Sequence, residues 1–239
     1  MSDLETALSP RAASVPARVW YVFLTGFSVF GILIADARFF VPGDAGATAA
    51  AIRAGDFMYR LGIASGLAGQ TCQLFLGLAL FRLFRPVNEG RARTLLALVI
   101  AMVPVAFLNM LGKFAPLVLF GDAEYSSSFG PAQLEALAFL FLELQKLGTL
   151  VAGVFWGLWL VPLGLLVIES RFFPRFLGYL LLAGCAGYLL ESFTTFVAPA
   201  AHGAVSPFAL ALSAGGELPF ALWMILVGAR GPKRESTNG

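Results

Sequence analysis

Glu191 and Glu217 each stand inside a long apolar run of this 239-residue sequence. A carboxylate in such surroundings is costly to bury unless it meets water, a cation or a hydrogen-bond donor, so both are the first candidates for chemistry. Two carboxyl groups held in unlike surroundings can divide acid and base roles or anchor a ligand. The sequence assigns Glu217 and Glu191 to that catalytic position. Other polar side chains interrupt apolar runs in the same way: Gln70, Gln73, Asn109, Lys113, Glu143, Lys146 and Tyr188. Asn109 and Lys113 are four apart and Glu143 and Lys146 three apart, so each pair shares a helical face. Gly184, Tyr188, Glu191 and Thr195 fall on one stripe, and Ser213 lies one turn before Glu217. Polar stripes on several helices avoid lipid by facing one another. The expected arrangement is a polar pocket in which Lys113 and Lys146 compensate Glu143, Glu191 and Glu217, and which the remaining polar residues line as ligand contacts.

Other chemistries leave no mark. His202 is the single histidine and reads as a solvated residue of the last outer loop, which excludes metal sites built on two or more histidines. Cys72 and Cys185 lie in different apolar runs and read as small buried side chains. There is no glycine loop followed by Lys and Ser/Thr and no Gly-x-Ser-x-Gly elbow. Trp156 and Trp159 read as packing groups, so no cofactor is implied. Sixteen Lys+Arg against fourteen Asp+Glu leave a formal charge of +2, too balanced for a nucleic-acid partner.

The elements that must position these residues follow from composition. AVILMFWYC residues make up 59% of the chain and only 13% is charged, with a mean hydropathy of +0.83; a soluble domain is about a quarter charged. A bilayer core needs about 20 apolar residues per helix. Six runs qualify, at approximately 18–40, 58–83, 94–120, 134–168, 176–198 and 206–229. The fold class expected is therefore all-α: a polytopic membrane bundle of six transmembrane helices in a single domain over 18–229, between an N-terminal tail (1–17) and a basic C-terminal tail (230–239). By a rise of about 1.5 Å per residue, Glu217 and Gln70 come near the midplane. Glu191 and Asn109 fall in the outer half, and Lys113, Glu143 and Lys146 nearer the outer boundary, where long side chains reach water.

Short-loop cations set the orientation. Arg11, Arg18, Arg82, Arg85, Arg91, Arg93, Arg171, Arg175, Arg230, Lys233 and Arg234 make eleven on one side, against Arg38, Arg53 and Arg60 on the other, where Asp44, Asp56, Asp122 and Glu124 also lie. Both termini are expected in the cytoplasm. Ala35-Asp36-Ala37 imitates a cleavage site, but Asp3 and Glu5 offset the basic residues before it, and the long apolar stretch predicts a retained span. Asp44 and Gly55 bracket an Ala-rich segment expected to form a short interfacial helix. Gly62/Gly66 and Gly153/Gly157 are small-xxx-small pairs suited to close packing. Pro104, Pro116, Pro162 and Pro219 are positioned to bend or interrupt their helices.

Loop sequences then carry a resemblance. They are Val41-Pro42-Gly43-Asp44 followed by Thr48 and Ile52, Phe57 with Arg60-Leu61-Gly62, and Arg85-Pro86-Val87-Asn88. Phe129-Gly130-Pro131 with Gln133-Leu134, the glycine-rich run around Phe155, Gly157 and Gly164, and Phe173-Pro174-Arg175 with Leu177-Gly178 continue it. In this order and spacing the chain resembles the bacterial membrane proteins called domain of unknown function 4386, over about residues 18–229. The resemblance implies a multi-pass protein of a bacterial inner membrane and brings no catalytic positions with it.

Three functions fit these expectations. The first is a pocket that binds or processes a small amphiphilic or lipid-like molecule in the outer half of the bundle. The second is a proton-coupled small-molecule transporter in which the same acids titrate. The third is a structural or interaction protein whose polar groups only join helices. The partners implied are the lipid bilayer and, for the first, the amphiphile.

Overall fold

A computed structural model describes residues 9–31, 37–121 and 127–230. Among the described residues no strand occurs, and eleven helices follow one another. They are α1 (Pro10–Ala13), α2 (Val15–Val29), α3 (Ala37–Phe39), α4 (Ala45–Ala54), α5 (Asp56–Phe84) and α6 (Glu89–Asn109), then α7 (Leu111–Leu119), α8 (Pro131–Leu158), α9 (Leu160–Ser170), α10 (Arg175–Val197) and α11 (Pro199–Leu226). Five stretches are long and apolar enough to cross a membrane: α5, α6 with α7, α8 with α9, α10, and α11. Their outer faces carry apolar side chains at helical spacing, as in Leu140, Leu144, Leu147 and Val151 of α8, each at least 42% exposed. Large apolar stripes of this kind suit lipid, and together these features mark a multi-pass membrane protein.

Several expectations change in detail. The run 18–40 is a helix through Val29, continues as a π-type turn at Phe30-Gly31, and resumes as α3. Ala35 and Asp36 of the cleavage-like triplet, the outer-loop acids Asp122 and Glu124, the acids Asp3 and Glu5, and the tail cations Lys233 and Arg234 lie outside the described residues. The helix expected to begin at 206 begins at Pro199, so His202 is on a helix rather than in a loop. Pro199 occupies the first turn, where its missing N–H costs nothing, and the alanines after it favour helix. Pro207 and Pro219 are carried inside α11, Pro104 inside α6 and Pro116 inside α7. Pro162 lacks the N–H that would bond the carbonyl of Leu158, and the chain breaks there, between α8 and α9.

The chain divides into two compact units. One comprises the described parts of Met1–Val22, Leu74–Ile100 and Gly153–Gly239, the other those of Phe23–Gln73 and Ala101–Ala152. In the first unit α10 and α11 make the closest helix contact. A Cβ on Gly184 would come within 3.1 Å of Gly216 Cα, and one on Gly187 within 2.5 Å of Ser213 N. Only glycine lets the backbones approach this far. Gly164 and Gly178 join α9 to α10 in the same manner, and Gly157 lies 3.0 Å by this measure from Tyr188 Cβ. One end of the unit gathers several chain ends. Ala229 N donates to Ser14 Oγ at 3.2 Å and Arg230 N to the Phe172 carbonyl at 2.9 Å. Phe84 stacks on Phe172 at 6.1 Å, and Arg91 pairs with Glu169.

In the second unit α2 runs antiparallel to α5. Ser65 Oγ donates to the Phe27 carbonyl at 2.9 Å, and a Cβ on Gly69 would lie 3.6 Å from Phe27 Cβ, one on Gly31 4.0 Å from Ser65 Oγ. The Ala-rich segment is helical as α4. Gly43, at φ +74, turns the chain into Asp44, whose carboxylate accepts from Ala47 N at 2.8 Å. Thr48 ties this cap back to Val41, accepting from its N–H at 3.1 Å. Arg53, at the far end of α4, pairs with Glu135 at 2.8 Å. Phe39, Ile52, Tyr59, Ile63, Met110 and Leu142 form the buried core beneath.

Candidate functional site

The second unit contains a cavity of about 290 Å³. Helix α8 positions its wall by placing Leu142, Gln145 and Lys146 on one face, at i, i+3 and i+4. Lys113 of α7, Tyr59 of α5 and Phe39 and Phe40 complete the lining together with Ala37. Tyr59 is buried, meets Phe39 edge-on at 5.4 Å and donates its hydroxyl to the Lys113 carbonyl at 2.8 Å. That bond fixes α7 to α5 at the level of the cavity. The Lys146 ammonium sits over the Phe40 ring, 3.4 Å from its centroid, and 3.3 Å from Glu143. Phe40 in turn stacks on Phe139 at 5.3 Å. The aromatic face and the carboxylate hold the ammonium by cation–π attraction and charge.

Behind this wall Asn109, where α6 ends, joins α8 through its carboxamide. Nδ2 donates to the Gln145 carbonyl at 2.9 Å and to Thr149 Oγ1 at 3.0 Å. Gln145 Nε2 reaches the same Thr149 hydroxyl at 3.0 Å. Gly148 makes the approach possible, because a Cβ there would overlap the Asn109 carboxamide. Gln145 and Thr149 escaped the sequence reading. The signal was present, since an amide at Asn109 requires partners and these two lie four apart on the same helix. Gln73 is buried in this unit, and Gln70 Oε1 has no hydrogen-bond partner among the described residues. Neither lines the cavity.

In the first unit, the stripe Gly184, Tyr188, Glu191 and Thr195 packs on α11. Tyr188 donates its hydroxyl to Glu217 Oε2 at 2.8 Å, and its ring meets Trp156 edge-on at 6.3 Å. Glu191 has a different set of partners: Ser206 Oγ donates to Oε1 at 2.9 Å, and His202 Nε2 lies 3.0 Å from the same oxygen. Oε2 of Glu191 is buried with no hydrogen-bond partner among the described residues. Lysine thus serves Glu143, through Lys146, whereas Glu217 and Glu191 meet hydroxyls and an imidazole within their own unit. His202 and Ser206 are contacts of Glu191 that the sequence missed, His202 because its segment reads as a loop and Ser206 because it stands at the expected start of the last helix.

These geometries limit the chemistry. The Ser206 hydroxyl points to a carboxylate rather than to His202, so the trio is not the relay in which histidine takes a serine proton. Glu191 Oε1 thus meets the imidazole of His202 and the hydroxyl of Ser206 at one point on α11. The lining of the cavity in the second unit combines two lysines and Gln145 with aromatic and aliphatic side chains. Among the described residues no cluster of three or more His, Cys, Asp or Glu suited to a metal occurs.

The model of the family described as "Domain of unknown function (DUF4386)" matches residues 17–228. No curated protein and no solved structure matches the chain.

Proposed function

We propose, for a chain that belongs to the DUF4386 family, that its membrane domain binds a small amphiphilic molecule in the cavity beside Lys113 and Lys146. The observation that carries this reading is the lining itself. Phe39, Phe40 and Leu142 supply apolar walls, and Lys113, Lys146 and Gln145 are the polar members of a mainly apolar lining, the composition of a small-molecule site. The same reading includes six spans over 18–229, both termini in the cytoplasm, α4 at the outer interface, and a bacterial inner membrane. The antiparallel course of α2 beside α5 supports a sixth crossing. So does the meeting of Ser14 with Ala229 at one end of the first unit, since it puts the start of α2 level with the end of α11.

Native mass spectrometry of gently extracted protein tests the binding. Wild type is expected to retain an amphiphile adduct. Leu142→Trp, which fills the cavity with protein, is expected to lose it while melting within a few degrees of wild type. Wild type with no adduct, and with no thermal stabilisation by any added amphiphile, would contradict the reading.

A second reading, proton coupling, is favoured by the orphan oxygen of Glu191 beside His202. Under this reading Glu191 and Glu217 are the proton-exchanging groups. Proteoliposomes holding wild type should then show amphiphile-dependent proton flux that Glu191→Gln abolishes; equal flux in the variant would remove this role.

A further inference from the structure

We infer that the first unit contains a buried hydration site, in which ordered water joins the Tyr21 hydroxyl of α2 to the Glu217 carboxyl of α11. Tyr188 of α10 engages the other oxygen of the same carboxyl, so one hydrogen-bonded chain links three helices. The inference rests on neither reading above. Tyr21 is 2% exposed, and its hydroxyl is buried with no hydrogen-bond partner among the described residues. Buried hydroxyls in folded proteins are overwhelmingly paired, with protein or with ordered water. Phenylalanine would pack the same ring without burying a polar group, so a tyrosine at this position implies a partner.

Packing fixes where that hydroxyl points. The Tyr21 ring meets Phe220 edge-on at 6.0 Å, and Phe220, itself fully buried, meets Phe173 edge-on at 5.5 Å. A phenolic oxygen lies on the ring axis, so a ring flip leaves it in place, and these neighbours hold the axis. Phe220 stands three residues after Glu217, on the same face of α11, and the Glu217 charge acts on the Tyr21 hydroxyl. The two are thus in electrostatic reach of each other with no direct hydrogen bond between them. Tyr188 donates to Oε2 of Glu217 at 2.8 Å, which leaves Oε1 to accept from water. A water that accepts from Tyr21 Oη and donates to Glu217 Oε1 has the two polar partners that a buried water needs. The unpartnered Oε2 of Glu191 is not the acceptor. Glu191 bonds α11 at Ser206, eleven residues before Glu217 and about 16 Å away along the helix.

Thermal melting of Tyr21→Phe in the full chain separates a hydrated hydroxyl from an orphan by the sign of the effect. With water in place the variant is expected to melt about 2–4 °C below wild type, the shift for one ordinary hydrogen bond in a chain of this size. That loss should shrink by at least about half when Glu217→Leu is already present, because the water has then lost its acceptor. A Tyr21→Phe variant that melts at or above wild type, or an undiminished loss in the Glu217→Leu background, would overturn the inference. A density map fine enough to show water identifies the ligand itself. The expected feature lies about 2.5–3.0 Å from Tyr21 Oη and reaches Glu217 Oε1 directly or through a second water. Direct contact between Tyr21 and Glu217, a metal ion at the feature, or only apolar atoms around the hydroxyl would each contradict the hydration site.

Discussion

Gly216→Val is expected to destabilise the protein by about 3 kcal/mol, the upper range for forcing bulk into a packed core, while Gly215→Val one residue away changes stability little. At Gly216 a new Cβ would run into the Gly184 backbone, within 2.7 Å of its N, and would meet Leu180 O at 2.7 Å. These are backbone atoms of the neighbouring helix, which no rotamer change can move, so α10 and α11 must separate. At Gly215 nothing lies within 4 Å. Separation of the two helices also pulls apart the hydrogen bonds that α11 makes to Tyr188 and Glu191. Thermal melting of both variants in one detergent checks the pair, and equal melting temperatures would show that α10 and α11 do not touch along this seam.

Tyr188→Phe should have the next largest effect, a loss of about 1–3 kcal/mol, because it leaves the Glu217 carboxyl without its hydroxyl donor. Glu217→Gln keeps an acceptor in place and should cost less. Glu217→Leu combined with Tyr188→Phe removes both partners and should be milder than the sum of the two single changes, since neither polar group is then left unsatisfied. A double-mutant cycle on melting free energies reads this coupling directly. Strict additivity would mean that the two side chains do not meet.

The helices were legible in the sequence because a bilayer requires long apolar runs; four of the five long stretches keep close to their expected limits, and the last begins at Pro199 rather than 206. Asp44 and Gly55 were legible for a local reason, as cap residues act within one turn. What the sequence misread depends on tertiary context. The last apolar run was expected to begin at 206, yet α11 begins at Pro199, and His202 consequently moves from a loop to the Glu191 carboxylate. Helical periodicity could say that Tyr188 and Glu191 share a face, but not that Tyr188 finds Glu217 while Glu191 finds Ser206. Those pairings depend on the register of α10 against α11, which glycines with no side chain to read, Gly184, Gly187 and Gly216, determine. Lys113 and Lys146 were identifiable as costly charges. The Phe40 ring beneath Lys146 was not, because a chain with 23 phenylalanines gives no one of them distinction.

The most direct measurement is an experimental density map of the full chain, purified with its native lipids into nanodiscs. The account predicts a bound amphiphile between Phe39 and Leu142, and the same feature missing in Leu142→Trp. A cavity holding only water, or closed by the protein's own side chains in the lipid-bound sample, would contradict it.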